Sequence, residues 1–158
     1  VFGEAIDTVY AAMKAERPDV VLCIGQAGGR SAVTPERVAI NVNDAGSPDN
    51  GGSQPVDEPI FEDGAAAYFS TLPIKRIVER VRAAGVPAGV SNSAGTYVCN
   101  HLMYGVLYYI EKEFPGVRGG FVHVPYLHEQ VLSRMGVPSL SLEDMVKAVD
   151  AAIAAIAE

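Results

Sequence analysis

The amino-acid sequence predicts an α/β layered domain, and three observations carry that prediction. Short β-branched runs such as VVLCI (20–24) alternate with longer segments whose apolar residues recur every three or four positions. Polar, glycine-containing segments follow the short runs, GQAGGRS after Ile24 and SNSAGTY after Val90, as loops do where they leave the carboxyl ends of strands. The 158 residues, 49% hydrophobic and 20% charged, suffice for one domain with a true core. No internal repeat or second domain is evident, so residues 1–158 read as a single unit.

The elements follow in order. Phe2, Ile6, Val9 and Met13 fall at helical spacing, and Pro18 marks the stop. The run Val20–Ile24 is apolar throughout, which suits a strand covered on both faces and makes Cys23 a buried structural residue. VAINV reads as a second strand with Val38, Ile40 and Val42 on one face. From Gly46 to Pro59 the chain turns to Gly, Pro, Asn, Asp and Ser, a long surface loop whose length argues for function or mobility. Ile74, Ile77, Val78 and Val81 define the next helix, stopped at Gly85, and VPAGV (86–90) is a third strand. Val98, Leu102, Val106 and Ile110, with Met103 and Leu107 beside them, form the most regular helix, ended by Pro115 and Gly116. GFVHV (120–124) is a fourth strand. SLED opens the last helix with Ser141 as N-cap and an acidic residue three places on. That helix is expected to bury Leu142, Met145, Val149, Ile153 and Ile156.

Charge narrows the function classes. Twelve Lys and Arg against nineteen Asp and Glu give a net charge of −7, which repels duplex nucleic acid and anionic membrane surfaces. No apolar run reaches the roughly 20 residues of a membrane helix, and Glu4 and Asp7 fall where a signal peptide would be basic. Two cysteines are too few for a secreted disulfide framework, so a reducing cytoplasm is expected. The chain starts without methionine, as a fragment of a longer protein would.

Three segments at the ends of strands each carry a reactive side chain. Cys99 lies in the first turn of its helix, where backbone N–H groups and the dipole's positive end stabilise a thiolate. It also sits one position off the apolar stripe, with small residues before it, unlike Cys23. His123, between two valines on a short strand, needs a partner for its ring and reads as a general base. His101 competes, but two residues from Cys99 on one helix it points to a different face; His128 sits in an exposed post-proline loop. Glu36 is either a solvated strand start paired with Arg37 or the carboxylate that orients the histidine. The glycine loop lacks both a GxxxxGK[ST] pattern and a clean GxGxxG, so a phosphate-binding module is a weak competing reading. No Cys/His/Asp spacing resembles a zinc site, and neither metal nor cofactor is expected.

GQAGGRSAVTPERVAINVNDA, VSNSAGTYVCNHLMYG, RGGFVHVPYLHEQ and PSLSLEDMVKAV together resemble the pyroglutamyl peptidase I family of cysteine peptidases, over nearly the whole chain. The resemblance implies a three-layer αβα sandwich around a mixed, largely parallel sheet, with Cys99 as nucleophile, His123 as base and Glu36 positioning the histidine. It also implies removal of an N-terminal pyroglutamyl residue from peptides, with Gln26, Tyr97 and Val98 near the substrate pocket. A cytoplasmic homotetramer without cofactors is implied too. Two departures stand out. The family's N-terminal segment with a loop over the pocket is missing, and Gly46 stands where members commonly carry arginine. A catalytically silent relative that binds pyroglutamyl or lactam peptides is therefore the alternative expectation.

Overall fold

A computed structural model describes residues 1–158. Along the chain run α1 (Glu4–Glu16), β1 (Val20–Gln26), β2 (Thr34–Pro35), β3 (Val38–Ile40), β4 (Ala67–Phe69), α2 (Ile74–Ala83) and α3 (Val98–Glu113). Then come β5 (Arg118–Val124), β6 (Tyr126–Leu127), a 3₁₀ turn (His128–Val131), β7 (Ser139–Leu140) and α4 (Leu142–Ala157). Pairing is mixed: β1-β5-β2 form one sheet with β2 antiparallel to β5, β3 pairs antiparallel with β4, and β6 pairs parallel with β7. The α/β class read from the alternation of runs is the observed one.

The chain divides into two compact units, the first comprising Val1–Cys23, Arg37–Thr71 and Asn92–Gly120. There α1 packs on α3, and the approach is close at Gly105, where an added Cβ would lie 2.4 Å from Ile6 Cδ1. The apolar stripe of α3 buries Met103, Val106, Leu107 and Ile110. The helix start is pinned by Asn100, whose wholly buried amide accepts from Ile40 N–H at 2.9 Å and donates to Ile40 O at 2.9 Å and Val42 O at 3.1 Å. A side chain thus pairs with a strand's backbone and fixes the turn that carries Cys99. The 46–59 loop has no regular structure but is tied down by Asp49, which accepts from the backbone N–H groups of Gly51, Ser53 and Phe2. In β3 the expected faces are reversed, with Ala39 buried and Val38 and Ile40 only partly so. Pairing with β4 leaves only the small residue facing inward.

The second unit comprises Ile24–Glu36, Leu72–Ser91 and Phe121–Glu158. Here α2 packs on α4. Ile77, Val78 and Val81 of α2 are buried as expected, and Ser141 caps α4 by accepting from Asp144 N–H at 3.1 Å. The buried face of α4 keeps Met145 and Ile156 of the five predicted residues and fills the rest with alanines. It is Met145, Ala148, Ala152, Ala155 and Ile156, whereas Leu142 and Ile153 are exposed and Val149 is intermediate. Alanines let the helices approach, and the larger residues are left outside. Ile24, Val124, Leu142, Val146 and Val149 line an open apolar groove of about 250 Å³. The same groove explains β1, in which only Cys23 is buried and Ile24 is exposed, so the strand is not covered on both faces. VPAGV forms no full strand. Pro87 has no N–H to give, and the segment makes only the isolated parallel bridge of Ala88 to Val33, with Ser91 just after it bridging Glu36.

Candidate active site

Pairing of β2 with β5 sets Thr34 opposite His123 and Pro35 opposite Val122. Glu36 follows directly, its N–H donating to Phe121 O at 2.9 Å. Its side chain meets the imidazole: His123 Nδ1 and Glu36 Oε1 lie 2.6 Å apart. Both groups are out of water, Glu36 at 0% and His123 at 3% exposure. A buried carboxylate is costly unless paired, and Arg30 Nη1 donates to the same Oε1 at 2.5 Å. Burial pushes the Glu36 carboxyl up, but hydrogen bonds from His123, Ser91 and Arg30, with the Arg30 charge, outweigh it and hold the group below its ordinary range. An ionised carboxylate only accepts. The proton between the two therefore sits on His123 Nδ1, which donates to Glu36 Oε1. Arg37, the partner suggested by adjacency, instead donates to Asn92 Oδ1 at 2.7 Å.

Cys99 is the second residue of α3, half-buried, and Tyr97 at the N-cap is extended and provides no side-chain cap. Cys99 belongs to the first unit and the Glu36–His123 pair to the second. The other thiol is inert: burial, with Cys99 nearby, pushes Cys23 up to about 11, so it stays protonated. His101 is spoken for on both nitrogens. Gly3 N–H donates to its Nε2 at 2.9 Å, and its Nδ1 lies 3.0 Å from Asn43 Oδ1. His128 is exposed, with Nδ1 2.8 Å from Ser139 Oγ.

Gln26 is exposed and its amide exchanges hydrogen bonds with Gln130, at 2.6 and 3.3 Å. Tyr97 donates to Pro48 O at 3.0 Å, tethering the helix start to the 46–59 loop, and Val98 is the first residue of α3. Gly46 faces open space, with nothing within 4 Å of an added Cβ. In the glycine loop a Cβ on Gly28 would lie 2.2 Å from the Tyr126 hydroxyl, so an aromatic side chain covers this stretch, a poor match for a phosphate cradle. No three His, Cys, Asp or Glu side chains gather to hold a metal ion, and no helix is long and apolar enough to cross a membrane.

Arg30, Ser91 and Asn100 are the site residues that the sequence reading missed. For Arg30 a signal existed, a cation six positions before Glu36 in an otherwise uncharged loop. Ser91 and Asn100 reach their partners only through tertiary structure.

Comparison with known proteins places the chain in a family. The pyroglutamyl peptidase family model matches residues 1–158. A pyrrolidone-carboxylate peptidase of Thermosipho africanus is 56% identical over 156 residues, covering 99% of this chain and 76% of the relative. One from Streptococcus suis is 57% identical over 158 residues, covering 100% of this chain and 74% of the relative. Among solved structures, the pyroglutamyl peptidase I of Bacillus amyloliquefaciens superposes with a TM-score of 0.96 at 51% identity, covering 99% of this chain and 74% of that one. The pyrrolidone carboxyl peptidase of Thermococcus litoralis gives 0.93 at 38% identity, over 96% of this chain and 71% of that one.

Proposed function

Because the chain belongs to the pyroglutamyl peptidase family, we propose that it is a cysteine exopeptidase that hydrolyses the amide bond after an N-terminal pyroglutamyl residue. The observation that carries this is the buried imidazole–carboxylate pair, His123 Nδ1 to Glu36 Oε1 at 2.6 Å. Such a pair leaves Nε2 as the base and stabilises the imidazolium formed when it takes a proton.

In this reading Cys99 gives its proton to His123 and attacks the pyroglutamyl carbonyl, forming a C–S bond. The oxyanion is received by backbone N–H groups at the start of α3, the positive end of its dipole. Collapse breaks the C–N bond as His123 returns the proton to the departing amine. Water, deprotonated by the same imidazole, then cleaves the thioester and releases pyroglutamate. Pyroglutamate carries a neutral lactam, so hydrogen-bond partners for its N–H and C=O reject rings that lack them. Gln26, Tyr97 and Val98 are assigned to that pocket by family resemblance. A homotetramer and a cytoplasmic location belong to the same resemblance.

The test is hydrolysis of a pyroglutamyl chromogenic amide, with and without a thiol-alkylating agent. Turnover is expected, abolished by the alkylating agent and by Cys99→Ser; full activity in Cys99→Ser would end the nucleophile assignment. Gly46, where the family commonly has arginine, favours one other reading, a silent relative that binds such peptides. Binding of a pyroglutamyl peptide by the folded wild-type chain without turnover would establish that instead.

A further inference from the structure

Glu36 Oε1 serves two donors at once, His123 Nδ1 at 2.6 Å and Arg30 Nη1 at 2.5 Å. We infer that Arg30 is a positioning residue of the hydrolytic site: its guanidinium keeps Glu36 a carboxylate, so that the His123 proton stays on Nδ1 and Nε2 is left as the base. This rests on the peptidase reading and adds to it the part that sets the tautomer.

A neutral imidazole cannot compensate a carboxylate that has no contact with water. Without a cation, two outcomes are open. Glu36 takes up a proton and donates it toward Nδ1, which drives the ring proton onto Nε2, the atom that should receive the thiol's proton. Alternatively His123 stays an imidazolium, with no lone pair to use. Each disables the base. Arginine, charged at every working pH, prevents both.

The placement of Arg30 is built into the fold. Nη1 also donates to Thr34 Oγ1 at 2.5 Å, and Thr34 is the residue opposite His123 across the β2–β5 pair. The cation is thus held by the same strand pair that holds the imidazole. Upstream, Arg30 N–H donates to Ala27 O at 3.3 Å, and Gly29 takes a left-handed φ of 90° that glycine adopts without strain. The glycine-rich loop therefore has a task, the delivery of an arginine beneath the carboxylate. The groups facing Glu36 are Arg30 from this loop, His123 from β5 and the Ser91 hydroxyl from the segment after α2. Of these only Arg30 carries a permanent charge.

Kinetics on a pyroglutamyl amide across roughly pH 5–9 test this with Arg30→Met and Arg30→Lys. In Arg30→Met, kcat should fall about 10- to 100-fold, as for other orienting partners, with KM within about twofold. Loss of the cation removes an interaction that holds the Glu36 carboxyl down, so Glu36 protonates at higher pH and the acid limb of kcat/KM should move up with it. Arg30→Lys should keep the wild-type acid limb. Nitrogen-15 NMR of wild-type His123 at neutral pH should report a proton on Nδ1 and none on Nε2. A proton on Nε2 in that spectrum, or an unmoved acid limb in a folded, active Arg30→Met protein, would overturn the role of Arg30. A folded wild-type chain that cleaves no pyroglutamyl amide would instead count against the peptidase reading, and the NMR result would still stand or fall separately.

Discussion

Lowering the pH from 7 to 5 is expected to remove about 2 kcal/mol of folding stability through one side chain, His101. Burial, reinforced by the positive amino terminus and opposed by Asp7, lowers this imidazole from its ordinary 6.5 to about 4. Between those two values the unfolded chain binds a proton that the folded chain refuses. The contribution is whole above the unfolded value and is lost as pH falls through it toward the folded one. Each pH unit of separation is worth about 1.4 kcal/mol, so the complete loss comes to about 3 kcal/mol, most of it incurred by pH 5. The structure explains why the ring stays neutral: Nε2 accepts from Gly3 N–H and Nδ1 faces Asn43 Oδ1. Urea denaturation at pH 7 and pH 5 measures the difference directly. His101→Gln, which offers one donor and one acceptor without titrating, should be less stable at pH 7 but lose far less between the two. An equal loss in that variant would refute the assignment to His101.

Three further outcomes are expected. Glu36→Gln should lower kcat by about 10²- to 10⁴-fold, because an amide can force the wrong imidazole tautomer, while the loss stays below that of His123→Ala; kinetics on a pyroglutamyl amide decide it. Gly105→Ala should destabilise by about 1–3 kcal/mol in chemical denaturation, since its Cβ would lie 2.4 Å from Ile6 Cδ1 in the α1–α3 contact. Gly46→Arg should fold as well as the parent or up to about 1 kcal/mol better, because nothing lies within 4 Å of an added Cβ, and a clear drop in melting temperature would contradict the open surroundings of that site.

Much of this was legible in the sequence because the relevant signals are local. The four-residue recurrence in Val98–Ile110 marks α3, which runs Val98–Glu113, and Ser141 with its acidic partner marks the start of α4. The oddity of a histidine between valines pointed to a partner, and Glu36 is that partner. What misled was side-chain size. Leu142 and Ile153 looked like core, yet α4 turns its alanines inward against α2, because close helix packing favours small residues and the stretch is apolar on several faces. Sequence adjacency misled in the same way at Arg37, which serves Asn92 while Arg30 returns from a glycine turn to reach Glu36. Pro87 hides in a β-branched run and keeps VPAGV from forming a full strand.

Everything proposed about activity requires a covalent bond between the substrate's pyroglutamyl group and Cys99. Rapid acid quench of the enzyme during turnover, followed by peptide mass mapping, measures that bond. The account predicts a pyroglutamyl adduct on the peptide containing Cys99, accumulating in wild type and absent from His123→Ala. Turnover with no acylated Cys99 at any quench time, or an adduct on Cys23 instead, would contradict it.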